Sequence, residues 1–144
     1  MFEKILYPTD FSDVSKKTLD YMKHLKKAGG RMVVLLHVID ERQIQAVERF
    51  VPEHTRKLER EILKHAGAEM DTVENELKQS GFEVKSRIEV GIPLREILRV
   101  EEEEDVSVIV IGSHGKSNLQ EMFLGSVSEK VARKCKKPIL IVKR

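Results

Sequence analysis

Apolar residues in this chain gather in five short runs: Phe2–Tyr7, Met32–Val38, Phe82–Val90, Val106–Ile111 and Pro138–Val142. Four of them are mainly aliphatic or β-branched, the pattern of strands covered on both faces. Phe82, Val84, Ser86, Ile88 and Val90 alternate instead, which predicts a strand nearer an edge or with one more polar face. Between the runs the spacing changes to three or four residues. A first helical pattern begins near Ser12 and stops at Gly29-Gly30. Leu58, Ile62, Ala66, Met70, Val73 and Leu77 define a long amphipathic helix between Pro52 and Gly81. Pro93 suits the first turn of a third helix carrying Leu94, Ile97 and Leu98. A fourth starts at Ser126 with Val127, Val131 and Ala132.

Strict alternation of strand and helix predicts an α/β fold of three layers. Its centre is a five-stranded parallel sheet, joined by right-handed crossovers with helices on both faces. In such sheets ligands bind beyond the carboxyl ends of the strands, near the point where strand order reverses. Residues 40–52, rich in Gln, Glu and Arg, form the one long connection and are expected to be a mobile flap. The acidic run Glu101–Asp105 ends the third helix against its dipole and reads as a solvated rim. Consecutive residues cannot all converge on one metal ion. With no linker or internal repeat, residues 1–144 are expected to form one domain.

Composition narrows the partners. Charged residues make up 35%, but 26 Lys and Arg nearly balance 24 Asp and Glu, for a net charge of +2. Aromatics are 5% with no Trp, so neither a basic face nor stacking platforms argue for nucleic acid. Lys16, Lys17, Lys23, Lys26 and Lys27 read as the solvated face of a helix. Cys135, the single cysteine, has no disulfide partner in the chain and suits a reducing interior. No run approaches the ~18 apolar residues of a membrane span. The opening Met1-Phe-Glu-Lys leads into a strand pattern rather than a signal peptide, so a soluble, cytoplasmic protein is expected.

Candidate chemistry collects where strands end. Pro8-Thr9-Asp10 follows the first strand and offers a hydroxyl and a carboxylate. His37-Val38 ends the second, where the Val38 backbone becomes available to a ligand. The fourth opens into Gly112-Ser-His-Gly115-Lys-Ser117, and the connection closes on Gly125-Ser126 at a helix start. Strand, open backbone and helix N-terminus together gather N–H groups around an anion such as phosphate. Gly115-Lys116-Ser117 looks like the end of a P-loop, but the glycine that motif needs five positions earlier is Val110. The dinucleotide G-x-G-x-x-G spacing is absent too.

The spacing present is Gly112, two residues, Gly115, nine residues, Gly125, then Ser126. It resembles the signature of the universal stress protein family in its ATP-binding branch. The likeness extends to Tyr7-Pro-Thr-Asp-Phe-Ser12, His37-Val38, Gly91-Ile-Pro93, Gly125-Ser-Val-Ser-Glu-Lys130 and Pro138-Ile-Leu-Ile-Val142. The resemblance implies a Rossmann-like fold of the adenine nucleotide alpha hydrolase type. It implies that Pro8, Thr9 and Asp10 line the adenosine end and that Val38 bonds the adenine edge through its backbone. Gly112, Ser113, His114, Gly115, Lys116 and Ser117 would wrap ribose and phosphates, and Gly125, Ser126, Val127 and Ser128 would hold the phosphate tail. It further implies ATP with Mg²⁺ or Mn²⁺, a switch or sensor role in stress response, and a homodimer formed through Pro138–Val142. Phe11 stands where many relatives have a small residue.

Local alternatives remain. Ser126-Val-Ser-Glu129 reads as a capping box, which a helix needs with or without a ligand. Asp10 can equally form a turn with Ser12. His114 lacks the partners of a Ser–His–Asp or Cys–His arrangement. His54 and His65 share a helix but lie ~16 Å apart, too far for one metal, and His24 and His37 read as ordinary packing or surface residues. Neither a Ser-Gly-Gly loop nor a His-x-Gly-His motif is present after the first strand. A slow ATP hydrolase and a ligand-free interaction module are the competing readings.

Overall fold

A computed structural model describes residues 1–12, 14–113 and 125–143. Its elements are β1 (Lys4–Pro8), α1 (Val14–Lys27), β2 (Met32–Asp40), α2 (Glu41–Phe50), α3 (Thr55–Gln79), β3 (Glu83–Gly91), α4 (Pro93–Glu104), β4 (Val108–Gly112), α5 (Ser126–Lys134) and β5 (Ile139–Val142). A short 3₁₀ turn, Pro52–His54, joins α2 to α3. The five strands make one parallel sheet in the order β3-β2-β1-β4-β5. The chain therefore builds outward from β1 in one direction, returns, and builds outward in the other. The reversal lies between β1 and β4.

Alternation along the central strands sorts the core into two halves. Ile5, Tyr7, Val33, Leu35, Val108 and Val110 face one side and pack with Met22 of α1 and Met70 and Leu77 of α3. Leu6, Val34, Leu36, Ile109 and Ile111 face the other, against Ile97 and Val100 of α4 and Val131 of α5. Side chains two residues apart share a face, so the four aliphatic runs serve both layers at once. The alternating third run is β3, at an edge of the sheet as its pattern predicts. The predicted stops hold as well. Gly29 and Gly81 take the left-handed conformation after α1 and α3, at φ 107° and 95°, and Pro93 sits in the first turn of α4.

Two expectations, for residues 40–52 and for the acidic run, need correction here. Residues 40–52 are not an open flap, because Glu41–Phe50 form α2. Asp40 caps it by accepting from the Arg42 N–H at 3.0 Å, and the Arg42 guanidinium returns to the same carboxylate at 2.6 and 2.9 Å. That hydrogen bonding holds the Asp40 carboxyl below its usual range. A Gln-, Glu- and Arg-rich composition is compatible with an exposed helix, since those residues are good helix formers. The acidic run is a solvated rim only in part, since Glu102, Glu103 and Asp105 are exposed but two of its members are not. Glu101 and Glu104 are 3% and 8% exposed, on the face of α4 that meets the protein. Asp105 ends the helix in a left-handed conformation at φ 46°. Among the described residues no three metal-ligating side chains cluster, and no helix is long and apolar enough to cross a membrane.

Candidate functional site

The carboxyl ends of β1, β2 and β4 meet at the reversal of strand order. Pro8 is the buried last residue of β1 and pairs with Leu36. One residue on, the Thr9 N–H still donates to the Leu36 carbonyl at 2.8 Å, after which the chain leaves the sheet. Backbone groups alternate in direction along a strand, so the Val38 N–H and C=O face the same side as those of Leu36. There they look past the end of β1. The second strand runs on to Asp40 and pairs Val38 with Glu89 of β3. Val38 is therefore not the strand's end, as the sequence suggests, but its backbone is turned toward the β1 side.

The turn after β1 is held by side chains. Thr9 Oγ1 accepts from the Phe11 N–H at 3.0 Å. Asp10 Oδ1 accepts from the Ser12 N–H at 3.0 Å, which is the turn that the residue pair allows. Phe11 between them has φ 63°, a left-handed conformation in a bulky residue. Its ring packs at 4.4 Å from the His37 imidazole. His37 Nδ1 lies 2.8 Å from the Thr9 carbonyl oxygen. From beneath, the Tyr7 hydroxyl hydrogen-bonds with Thr9 and Thr18, and burial pushes its pKa up to about 12. The Thr9 hydroxyl is thus engaged within the protein.

On the other side of the reversal, Gly112 ends β4 and the buried Ser113 follows it. The Ser113 N–H donates to the Val142 carbonyl at 2.8 Å, and the Ser113 carbonyl accepts from the Gly125 N–H. Ser128 Oγ donates to the Gly112 carbonyl at 2.7 Å. These bonds bring the two ends of the glycine-rich connection together. The predicted site residues His114, Gly115, Lys116 and Ser117 lie outside the described residues.

The capping box at Ser126 is not formed. Gly125 occupies the cap position, with φ −60° and ψ 151°, and Ser126 is the first helical residue. Gly125 has no side chain to return to the helix, and Glu129 pairs instead with Arg133 at 2.7 Å. The first intrahelical bond runs from the Glu129 N–H to the Gly125 carbonyl at 3.0 Å. The N–H groups of Ser126, Val127 and Ser128 therefore have no carbonyl within the helix to bond, and the positive end of the α5 dipole lies beside Gly112 and Ser113.

Sequence reasoning did not single out Thr18, and it gave the side chains of Tyr7 and His37 no part in holding this turn. Their partners come from other elements, as with Thr9 and His37, separated by 28 positions. Cys135 is half-buried at the end of α5. Burial and the nearby Glu101 push its thiol up.

Comparison with known proteins agrees with the architecture. Residues 1–143 match the universal stress protein family. The universal stress protein MJ0577 of Methanocaldococcus jannaschii is 43% identical over 156 residues, covering 100% of this chain and 96% of the relative. Its solved structure superimposes with a TM-score of 0.91 at 46% identity, over 100% of this chain and 97% of that one. The universal stress protein YxiE of Bacillus subtilis is 36% identical over 148 residues, covering 99% of this chain and 100% of the relative. A universal stress protein of Archaeoglobus fulgidus, solved in complex with dAMP, shares the fold at TM-score 0.64 and 21% identity, over 99% of this chain and 100% of that one. Likeness along the whole chain, in sequence and in sheet order together, makes this protein a member of the universal stress protein family.

Proposed function

We propose that this protein binds an adenine nucleotide, ATP with Mg²⁺ or Mn²⁺, and serves as a nucleotide-dependent switch or sensor in stress response. The observation that carries this reading is the reversal point itself. Asp10 and the Val38 backbone stand on one side of it. Gly112 and Ser113, tied to Gly125 and Ser128, stand on the other beside a helix end without a side-chain cap. A carboxylate and a backbone edge suit ribose and base, while N–H groups at a helix terminus suit phosphate. The dAMP complex is a fact about a distant relative, and it fits the same ligand class. The described residues gather no three metal ligands, so the cation fits best as one carried by the phosphates, the usual mode for Mg²⁺. The test is thermal unfolding with and without nucleotide. ATP and Mg²⁺ at ten times the dissociation constant stabilise the fold by about 1.4 kcal/mol, and mass spectrometry of the natively purified protein finds ATP. No shift at saturating ATP overturns the reading.

A homodimer through Pro138–Val142 belongs to the same proposal. The outer edge strand β3 carries Glu83, Lys85, Arg87 and Glu89, charges that discourage edge-to-edge pairing. The opposite edge, β5, is short and uncharged, with Ile139, Leu140 and Ile141 half-buried. Sedimentation is expected to give twice the chain mass of 16.6 kDa. A single-chain mass at the concentrations used for ATP binding rules the dimer out.

A further inference from the structure

We propose that His37 is a positioning residue for the nucleoside half of the site, locking residues 9–12 in the conformation that presents Asp10. The proposal rests on the adenine-nucleotide reading and adds to it the group that sets the geometry of that end. One imidazole touches both flanks of Asp10. Its Nδ1 meets the carbonyl of Thr9, immediately before, at 2.8 Å. Its ring packs on Phe11, immediately after, at 4.4 Å with a tilt of 35°. A carbonyl oxygen only accepts, so Nδ1 carries the proton in this contact. Phe11 needs such support. At φ 63° it holds a backbone conformation that bulky residues adopt only where their surroundings impose it. The Phe11 N–H on Thr9 Oγ1, the packing of Phe11 against the core and the His37 ring each supply part of that support. With the backbone fixed on both sides, the Asp10 carboxylate is set in place by its bond from the Ser12 N–H. The next residue of the same strand is Val38, so β2 contributes both the proposed adenine edge and the lock beside it.

Two variants separate the lock from simple packing. His37→Phe keeps a ring against Phe11 and loses the N–H. His37→Asn restores an N–H donor at similar reach. Calorimetric titration with ATP and Mg²⁺ is expected to show about tenfold weaker binding for His37→Phe, the loss of one productive hydrogen bond. Binding by His37→Asn returns to within about threefold of the parent. Nitrogen-15 NMR of the unmodified protein is expected to show a proton on Nδ1 of His37, a readout that needs no variant to fold. Undiminished binding by His37→Phe, equal weakening in both variants, or a bare Nδ1 overturns the proposal. Failure of the parent to bind ATP removes the nucleotide reading and this proposal together, whereas failure of the variants alone removes only the role of His37.

Discussion

Replacing Glu101 with alanine is expected to lower the unfolding free energy by about 3 kcal/mol, while Glu102→Ala beside it changes less than about 0.5 kcal/mol. Glu101 is buried, and its Oε1 accepts from the backbone N–H groups of Lys136 and Lys137, both at 2.8 Å. These bonds tie α4 to the turn between α5 and β5. Hydrogen bonds to a charged group contribute about 1.5–3 kcal/mol each. Removing the carboxylate also relieves its own desolvation, so the net falls below the sum of two. Glu102 is exposed and makes no such bond among the described residues. Urea unfolding of the two variants checks the contrast, with an unchanged slope showing that the same surface unfolds. A Glu101→Ala protein as stable as its parent would mean that water satisfies both N–H groups.

The second large effect appears on acidification. Glu104 receives Lys85 at 2.7 Å, Arg87 at 3.0 Å and Lys4 at 3.2 Å. The hydrogen bond from Lys85, with help from Lys4 and against the cost of burial, holds its carboxyl down at about 2. A carboxylate whose folded pKa lies below its unfolded one adds stability above the unfolded value and loses it as pH falls toward the folded one. The window therefore runs from about 4.5 down to about 2. Over that window Glu104 accounts for a loss of about 2–3 kcal/mol. Glu104→Gln is expected to be less stable at neutral pH and to lack this share of the acid slope. Stability measured by denaturant at pH 6, 4 and 3 decides, and parallel slopes in both proteins would remove Glu104 as the cause. Asp40 and Arg42 also pair closely, but at the solvent edge such a pair contributes little.

Both effects arise in the acidic run that reads from the sequence as a rim. Successive side chains on a helix turn by about 100°, so the run has no single environment: Glu101 and Glu104, three apart, share a face, and Glu102 and Glu103 point away from it. Glu101 turns toward the α5–β5 turn and Glu104 toward β1 and β3. Glu103 lies on a more exposed flank, where Arg87 and Arg99 hold its carboxyl below the usual range. Arg87 bridges Glu89, Glu103 and Glu104 across β3 and α4. Only packing decides which of the four is desolvated. The same reason explains α2, where a polar composition was compatible with either loop or helix and the Asp40 cap with its Arg42 clasp settled it. It also explains Ser126, whose capping-box spacing is met in sequence while the chain starts the helix one residue earlier, at Gly125.

By itself the sequence determined the layered parallel sheet, the edge position of β3, the glycine and proline boundaries, and the family, because periodicity and turn chemistry are local properties written in neighbouring residues. It also marked Pro8–Asp10, Val38 and Gly112–Ser128 as strand ends worth watching. Only the tertiary structure decided how those ends are held: Tyr7 and Thr18 under Thr9, His37 across to its carbonyl, Ser128 back to Gly112, and Glu101 and Glu104 inside rather than out. Apart from Tyr7 on Thr9, these contacts join residues between 11 (Tyr7 and Thr18) and 100 (Lys4 and Glu104) positions apart. No local pattern encodes such a pairing, since it depends on which strand ends the sheet order sets side by side.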